Sequence, residues 1–280
     1  MTGEHFTARR TRHVMRGGMK GDGVPAFRLV LLTGLVLAAI TAALLLPPIP
    51  QDPVYHEFAD RRTLLGIPGF MDVASNFLFL VAGALGIGYL LTHRDAPLVP
   101  GLYGAYLLFF AGVFFVGIGS AYYHLRPSNA TLIWDRLPMT ITFMSLFTII
   151  LAEFVSVRAA RWLFLPLLVV GVASVGYWHF SEQLGRGDLR WYGLVQFLPM
   201  LLIPVILLSF PARFSHARLY WAFLGLYALA KLFEFYDRPV YRVFPGISGH
   251  SLKHLCAATG CLVFLYLLKK RHTLTHAGHR

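Results

Sequence analysis

The chain has 280 residues, of which 56% are hydrophobic and 14% charged, and its mean hydropathy is +0.60. A soluble domain of this size carries about 25% charged residues, so the composition excludes an ordinary soluble enzyme. The net charge of +12 would suit a nucleic-acid partner, but most of the Lys and Arg lie in the terminal tails and the connectors of apolar runs with a one-sided bias, and no nucleic-acid partner is expected.

A bilayer core is crossed by about 20 apolar residues in a helix. Eight runs of that kind are present, at 27–47, 71–92, 101–124, 136–154, 162–180, 191–209, 218–236 and 248–269. They are continuous rather than alternating, which argues against a β-barrel. The expected fold class is an all-α polytopic membrane protein with short connectors.

Residues 1–25 are basic and Gly-rich and read as a disordered cytoplasmic tail. The stretch 26–47 follows that basic flank, so a cleaved signal peptide is an alternative to a retained helix. The run is long for a signal, and Pro47, Pro48 and Pro50 follow it without a small-residue cleavage site. A retained transmembrane helix is therefore expected.

Residues 48–70 form the longest connector, with YHEFADRR and then GIPGF, whose Gly66, Pro68 and Gly69 favour turns. It is expected to cap the outer face. Asp72, Ser75 and Asn76 share a face at the start of the second run. They either orient a ligand histidine or cap the helix.

The third run closes at His124, with Ser120 one turn earlier on the same face. Pro127 and Ser128 break the chain, and Asp135 is expected to begin the fourth run beside Arg136. Trp178 and Trp191 fit an interfacial aromatic belt. Asp188, Arg190, Tyr192 and Gln196 form a polar group at the start of the sixth run, with a structural role expected. In the seventh run Lys231 and Glu234 stand three apart and are expected to pair.

The eighth run opens with His250 and His254, which share a helix face, and Ser248 is a possible N-cap. Lys253 points away from His254 and is expected to pair with Glu234, Asp237 or Asp72. Cys256 and Cys261 are five apart on one helix, too far and too rotated for a disulfide, and read as small hydrophobes.

The Lys and Arg bias sets the orientation. A cytoplasmic N-terminus puts Arg9, Arg10, Arg12, Arg16, Lys20 and Arg28 inside, together with Arg94, Arg158, Arg161, Arg213, Arg218 and the tail Lys269, Lys270, Arg271 and Arg280. Arg61, Arg62, Arg126, Arg136, Arg186, Arg190, Arg238 and Arg242 fall outside. Both termini are then cytoplasmic, the setting expected is a bacterial inner membrane, and His124, Asp135 and His250 all meet near the outer leaflet.

Charged and imidazole groups at membrane depth are costly and mark function. Three neutral imidazoles hold zinc with a fourth position open, and leave a +2 charge that lowers the pKa of bound water toward ~7. His124, His250 and His254 are the expected zinc ligands. Asp135 could take a proton from that water and return it to a leaving amine. Ser120 could donate to a developing oxyanion or hold the water. Taken singly, HxxxH arises by chance, His124 reads as a packing residue and Asp135 as a helix cap; their joint placement favours a site.

At these residues the sequence resembles the alkaline ceramidases, within the membrane hydrolase superfamily that also holds the adiponectin-receptor and haemolysin III type proteins. The matching stretches are DVASNFLFLVAG (72–83), GSAYYH (119–124), WDRLPM (134–139) and SGHSLKHLCAA (248–258). The resemblance spans the last seven runs. It implies a seven-helix zinc hydrolase domain over 71–270, here with one extra N-terminal transmembrane helix (26–47) and a basic tail at 271–280. It further implies zinc on His124, His250 and His254, with Ser120 and Asp135 assisting cleavage of an amide-linked acyl chain. The membrane lipid partner would be a ceramide or a related N-acyl lipid. The chain departs from the family's eukaryotic calcium motif: the loop offers Asp52, Glu57 and Asp60, and Gly69 stands at the position that motif fills with glutamate, so calcium is not expected.

Three functions compete. The first is a zinc-dependent lipid amidase. The second is a receptor-like or regulatory member of the same superfamily with weak or no hydrolysis. The third is a transporter, which would show paired broken helices near the midplane; none is legible.

Overall fold

The computed structural model describes residues 26–274. The expected tail 1–25 and residues 275–280 lie outside it. The long helices are α1 (Ala26–Leu45), α3 (Phe77–Thr92), α4 (Tyr103–Leu125), α5 (Asn129–Ile150), α6 (Val157–Gln183), α7 (Arg190–Ser209), α8 (Leu219–Phe235) and α10 (Gly249–Lys270). Short helices α2 (Phe70–Ala74) and α9 (Asp237–Val243) precede α3 and α10. A hairpin, β1 (Thr63–Leu64) with β2 (Ile67–Pro68), pairs antiparallel with Leu64 opposite Ile67. Among the described residues, seven helices, counting α2 with α3 as one 23-residue span, are long and apolar enough to cross a membrane. The eighth expected span, α8, has 17 residues, at the lower end of what a bilayer core requires. The protein is an all-α multi-pass membrane protein.

Three of the long helices begin at a serine that satisfies a free backbone donor. Ser128 caps α5 by accepting from Thr131 N at 3.2 Å, Ser156 caps α6 from Ala159 N at 3.2 Å, and Ser248 caps α10 from Ser251 N at 2.8 Å. The Ser128 cap corrects one expectation. Helix α5 starts at Asn129, so Asp135 lies nearly two turns inside it rather than at its first residue. Arg136 is likewise within the helix and 4% exposed, not in an outer connector.

The second expected span is present as Phe70–Thr92, with a turn at Ser75–Asn76 where Asn76 Nδ2 donates to Asp72 O at 2.7 Å. One further expectation changes. Trp178 is fully buried rather than in an interfacial belt, because the Arg136 guanidinium stacks on its ring at 4.1 Å.

The core runs through α3, α4, α5, α7, α8 and α10; at its centre Phe264 stacks on Phe110 and meets Phe109 edge-on. Helix α10 packs on both α8 and α3, which closes the bundle. Helix α1 packs on α7 and leaves most of its surface outward; its end is tied by Arg190 Nη1, which donates to Ala43 O at 3.0 Å and to Leu46 O. The loop from residue 46 to the hairpin folds back over the end of the bundle where α4 stops and α10 starts.

Candidate metal centre and hydrolytic cavity

Helix α4 delivers His124 in its last turn and α10 delivers His250 and His254 in its first two. All three are buried, at 4%, 4% and 2% exposure. His124 Nε2 and His250 Nε2 are 3.1 Å apart, and ligand atoms of all three histidines lie within 4.8 Å of one another. Two nitrogens at ~2.0–2.1 Å from a tetrahedral zinc are about 3.3 Å apart, so the spacing fits a shared ion. The three histidines singled out in the sequence thus lie together in the fold.

The hydrogen bonds around His254 fix which nitrogen is free. Ser75 Oγ lies 2.8 Å from His254 Nδ1 and donates its own hydrogen to Asp72 O at 3.3 Å. The serine oxygen therefore accepts from Nδ1–H, and the Nε2 lone pair is left over. His254 Nε2 is buried with no partner among the described residues. A buried acceptor without a partner is costly, and a cation held by the three histidines would relieve it. The donor set is compatible with zinc, for which imidazole is a usual ligand.

The start of α10 is held by two carboxylates. Asp72 Oδ1 accepts from Ser248 Oγ and Ser251 Oγ, both at 2.6 Å. Asp237 Oδ1 accepts from His250 N at 2.8 Å, and its Oδ2 accepts from Ala59 N at 2.9 Å. Ser75 thus takes the orienting role, while Asp72 holds the helix start.

The loop supplies residues that composition alone did not single out. The Phe58 ring lies 4.5 Å from the rings of both His124 and His250 and covers them. His56 bridges Tyr123 OH at 2.8 Å and Asn129 Oδ1 at 2.9 Å. Asp60 receives Arg62 Nε at 2.8 Å and Met71 N at 3.1 Å. Burial works to raise the Asp60 pKa, but these hydrogen bonds prevail and hold it below its ordinary 3.8. In the sequence these residues are signalled only by the aromatic and acidic content of YHEFADRR.

Ser120 and Asp135 face each other across the α4–α5 contact. The close approach depends on Gly119: a Cβ there would overlap the Trp134 carbonyl oxygen. Both residues line a cavity of about 320 Å³ that also reaches His254. The cavity is amphipathic along its axis. At the histidine end it is walled by Asp135, Arg136, Tyr55, Lys231, Glu234 and Lys253. Farther down α5 and α10 it is walled by Met139, Phe143, Leu146, Ala257, Gly260 and Cys261. From Asp135 to Leu146 the α5 wall runs about 16 Å at ~1.5 Å per residue. Helices α7 and α8 both line it.

The expected Lys231–Glu234 pair is present, and Lys253 Nζ adds a second contact to Glu234 at 3.2 Å. Asp188 and Arg190 pair at 2.8 Å in the structural role expected of them. Cys256 and Cys261 are free thiols, Cys261 buried.

A bundle of apolar helices with a buried three-histidine cluster, one member of which lines an internal cavity, defines a class: membrane-embedded proteins with a cluster that could hold a metal ion. The family model described as Ceramidase matches residues 67–234, more than half of the chain, and the chain belongs to that family. Membership implies hydrolase activity on a lipid substrate in a membrane. The match includes Ser120, His124 and Asp135 and stops before His250 and His254. A comparison with curated proteins finds no match.

Proposed function

We propose that the protein is a zinc-dependent amidase that cleaves the N-acyl bond of a ceramide or a related N-acyl lipid, releasing a long-chain base or amine and a fatty acid. The observation that carries this reading is the unpartnered Nε2 of His254, buried beside His124 and His250 at the polar head of the cavity. His124, His250 and His254 would hold the zinc, which supplies a Lewis acid and an activated water.

The chain's own residues do the rest. The shaft lined by Met139, Phe143 and Leu146 takes the acyl chain and removes it from water. That leaves the amide level with Ser120 and Asp135. The Asp135 carboxylate takes a proton from the attacking water and returns it to the departing nitrogen. The Ser120 hydroxyl donates to the carbonyl oxygen as it gains charge. Ser75 keeps His254 in the tautomer that leaves Nε2 free. Phe58 keeps bulk water from the histidines.

The positive-inside bias supports a cytoplasmic position for both termini in a bacterial inner membrane, with the histidine end toward the outer face. It also supports the division into an extra N-terminal helix (26–47), an outer loop (48–70) and a seven-helix hydrolase domain (71–270) between basic tails. The test is mass spectrometry of N-acyl lipids incubated with purified protein, with and without a chelator. Fatty-acid release that stops on chelation and returns with zinc is expected. No release from any N-acyl lipid by zinc-loaded protein would favour the receptor-like reading.

A further inference from the structure

The charges lining the cavity do not balance. Arg136, Lys231 and Lys253 are three cations, and Asp135 and Glu234 are two carboxylates; apart from His254 the remaining lining residues are neutral. Two of the cations share one partner, since Lys231 Nζ and Lys253 Nζ both contact Glu234. Lys231 also lies 5.5 Å over the Phe197 ring, which holds its ammonium on the α7–α8 side of the cavity.

Arg136 has no carboxylate partner. None of the ion pairs among the described residues includes it. Its Nη2 donates to Gln51 Oε1 at 2.6 Å, its plane stacks between Trp178 and Tyr192 at 4.1 and 4.6 Å, and its Nη1 is buried without a partner. Guanidinium stays charged at any pH a protein meets. Cations taken out of water without counter-charge are unfavourable and attract an anion into the same space.

We infer that the polar head of the cavity is a carboxylate-recognising subsite, formed by Arg136, Lys231 and Lys253. On the amidase reading, on which this inference rests, the N-acyl lipid it takes carries a carboxylate close to the amide, as an N-acyl amino acid does. A neutral alcohol headgroup would leave the excess cation unmatched. A carboxylate reaches this space from two sources, the headgroup of the substrate or the fatty acid released by cleavage, and the two can be told apart.

The experiment compares N-oleoylglycine with N-oleoylethanolamine at pH 8 on zinc-loaded protein in detergent. The two share the acyl chain and the amide and differ in charge. The wild type should favour N-oleoylglycine in kcat/KM by about tenfold, the effect of one charge some ångströms away in a partly shielded site. Lys231→Met cancels the net positive charge of the lining while keeping Glu234 paired with Lys253, and should bring the ratio toward one. Glu234→Gln adds to the excess and should raise the ratio. Shifts of opposite sign from neighbouring residues are not what general loosening of the fold produces.

Inhibition by oleate, measured on the same variants, separates the sources. Altered oleate inhibition with an unchanged substrate ratio assigns the subsite to the released acid. A change in neither overturns the inference. Equilibrium binding of both lipids, read by thermal shift, follows the same order of variants even where nothing is hydrolysed. The subsite and the amidase reading can therefore fail separately.

Discussion

Asp135 carries a different meaning inside α5 than it would at the helix start. Ser128 already caps the helix, so the carboxylate is free to serve the cavity it lines. Asp135→Asn should keep its zinc and lose hydrolysis by ~10²–10⁴-fold, because an amide cannot carry the proton. Ser120→Ala should lose ~10²–10³-fold, the usual worth of one donor to a developing oxyanion. Ser75→Ala removes the partner of His254 Nδ1 and should weaken zinc binding by ~10–100-fold, with Ser75→Thr close to wild type. Zinc content and fatty-acid release measured on one panel separate these roles. If Asp135→Asn hydrolyses at the wild-type rate, the proton route through Asp135 is wrong.

At the scale of elements, the spans and the HxxxH face were legible because apolar length and the i, i+4 repeat are local properties. The turn at Ser75–Asn76 was not, since it depends on Asn76 reaching back to Asp72 O. The extra turns of α5 before Asp135 were hidden because NATLIW is less apolar than the run that follows, and the Ser128 cap decides the boundary. Phe58 over the histidines and Trp178 under Arg136 are long-range contacts that no spacing announces. The loop that brings Phe58 there has an acid-sensitive anchor. Asp60 has a folded pKa below its ordinary 3.8, so its contribution is complete above the unfolded value and is lost as pH falls through the lower folded one. The loop should therefore loosen below pH ~4 and not on the alkaline side. Asp60→Asn should make the loop protease-sensitive at neutral pH as well; cleavage within 48–70 measured from pH 3 to pH 8 reads both. A loop equally protected at pH 3 and pH 7 in the wild type would rule out this anchor.

Across the whole molecule, the two ends of the bundle are built differently. The histidine end is polar, covered by a loop and open to a cavity. The opposite end is fastened by a buried cluster around Arg271, a residue that its place in the sequence puts in the basic tail. Arg271 is 4% exposed; its Nη1 donates to Glu153 Oε1 at 2.5 Å, and Glu153 also accepts from Tyr106 OH at 2.6 Å and Tyr220 OH at 2.8 Å. These contacts tie the end of α10 to α4, α8 and the widened π turn at Leu151–Val155. In the proposed orientation this is the cytoplasmic end, and reporter fusions at residue 280 and in the 181–190 loop should report opposite sides. The same side for both would end the eight-span arrangement.

The cluster also makes a stability prediction that is independent of topology. Removing one partner of a buried ion pair leaves an uncompensated charge and costs about 3–5 kcal/mol, whereas replacing both by apolar groups of similar volume is often close to neutral. Glu153→Gln should lower the thermal midpoint strongly, and Arg271→Met should do so less, since it leaves a carboxylate still bonded to two tyrosines. The double variant Glu153→Leu with Arg271→Met should recover most of the loss. The cluster lies at the far end of the bundle from the histidines, so zinc content should be the same in all folded variants. Thermal unfolding in detergent, with zinc measured on each sample, checks both. Additive losses in the double variant would mean that Glu153 and Arg271 stabilise the bundle independently rather than as a pair.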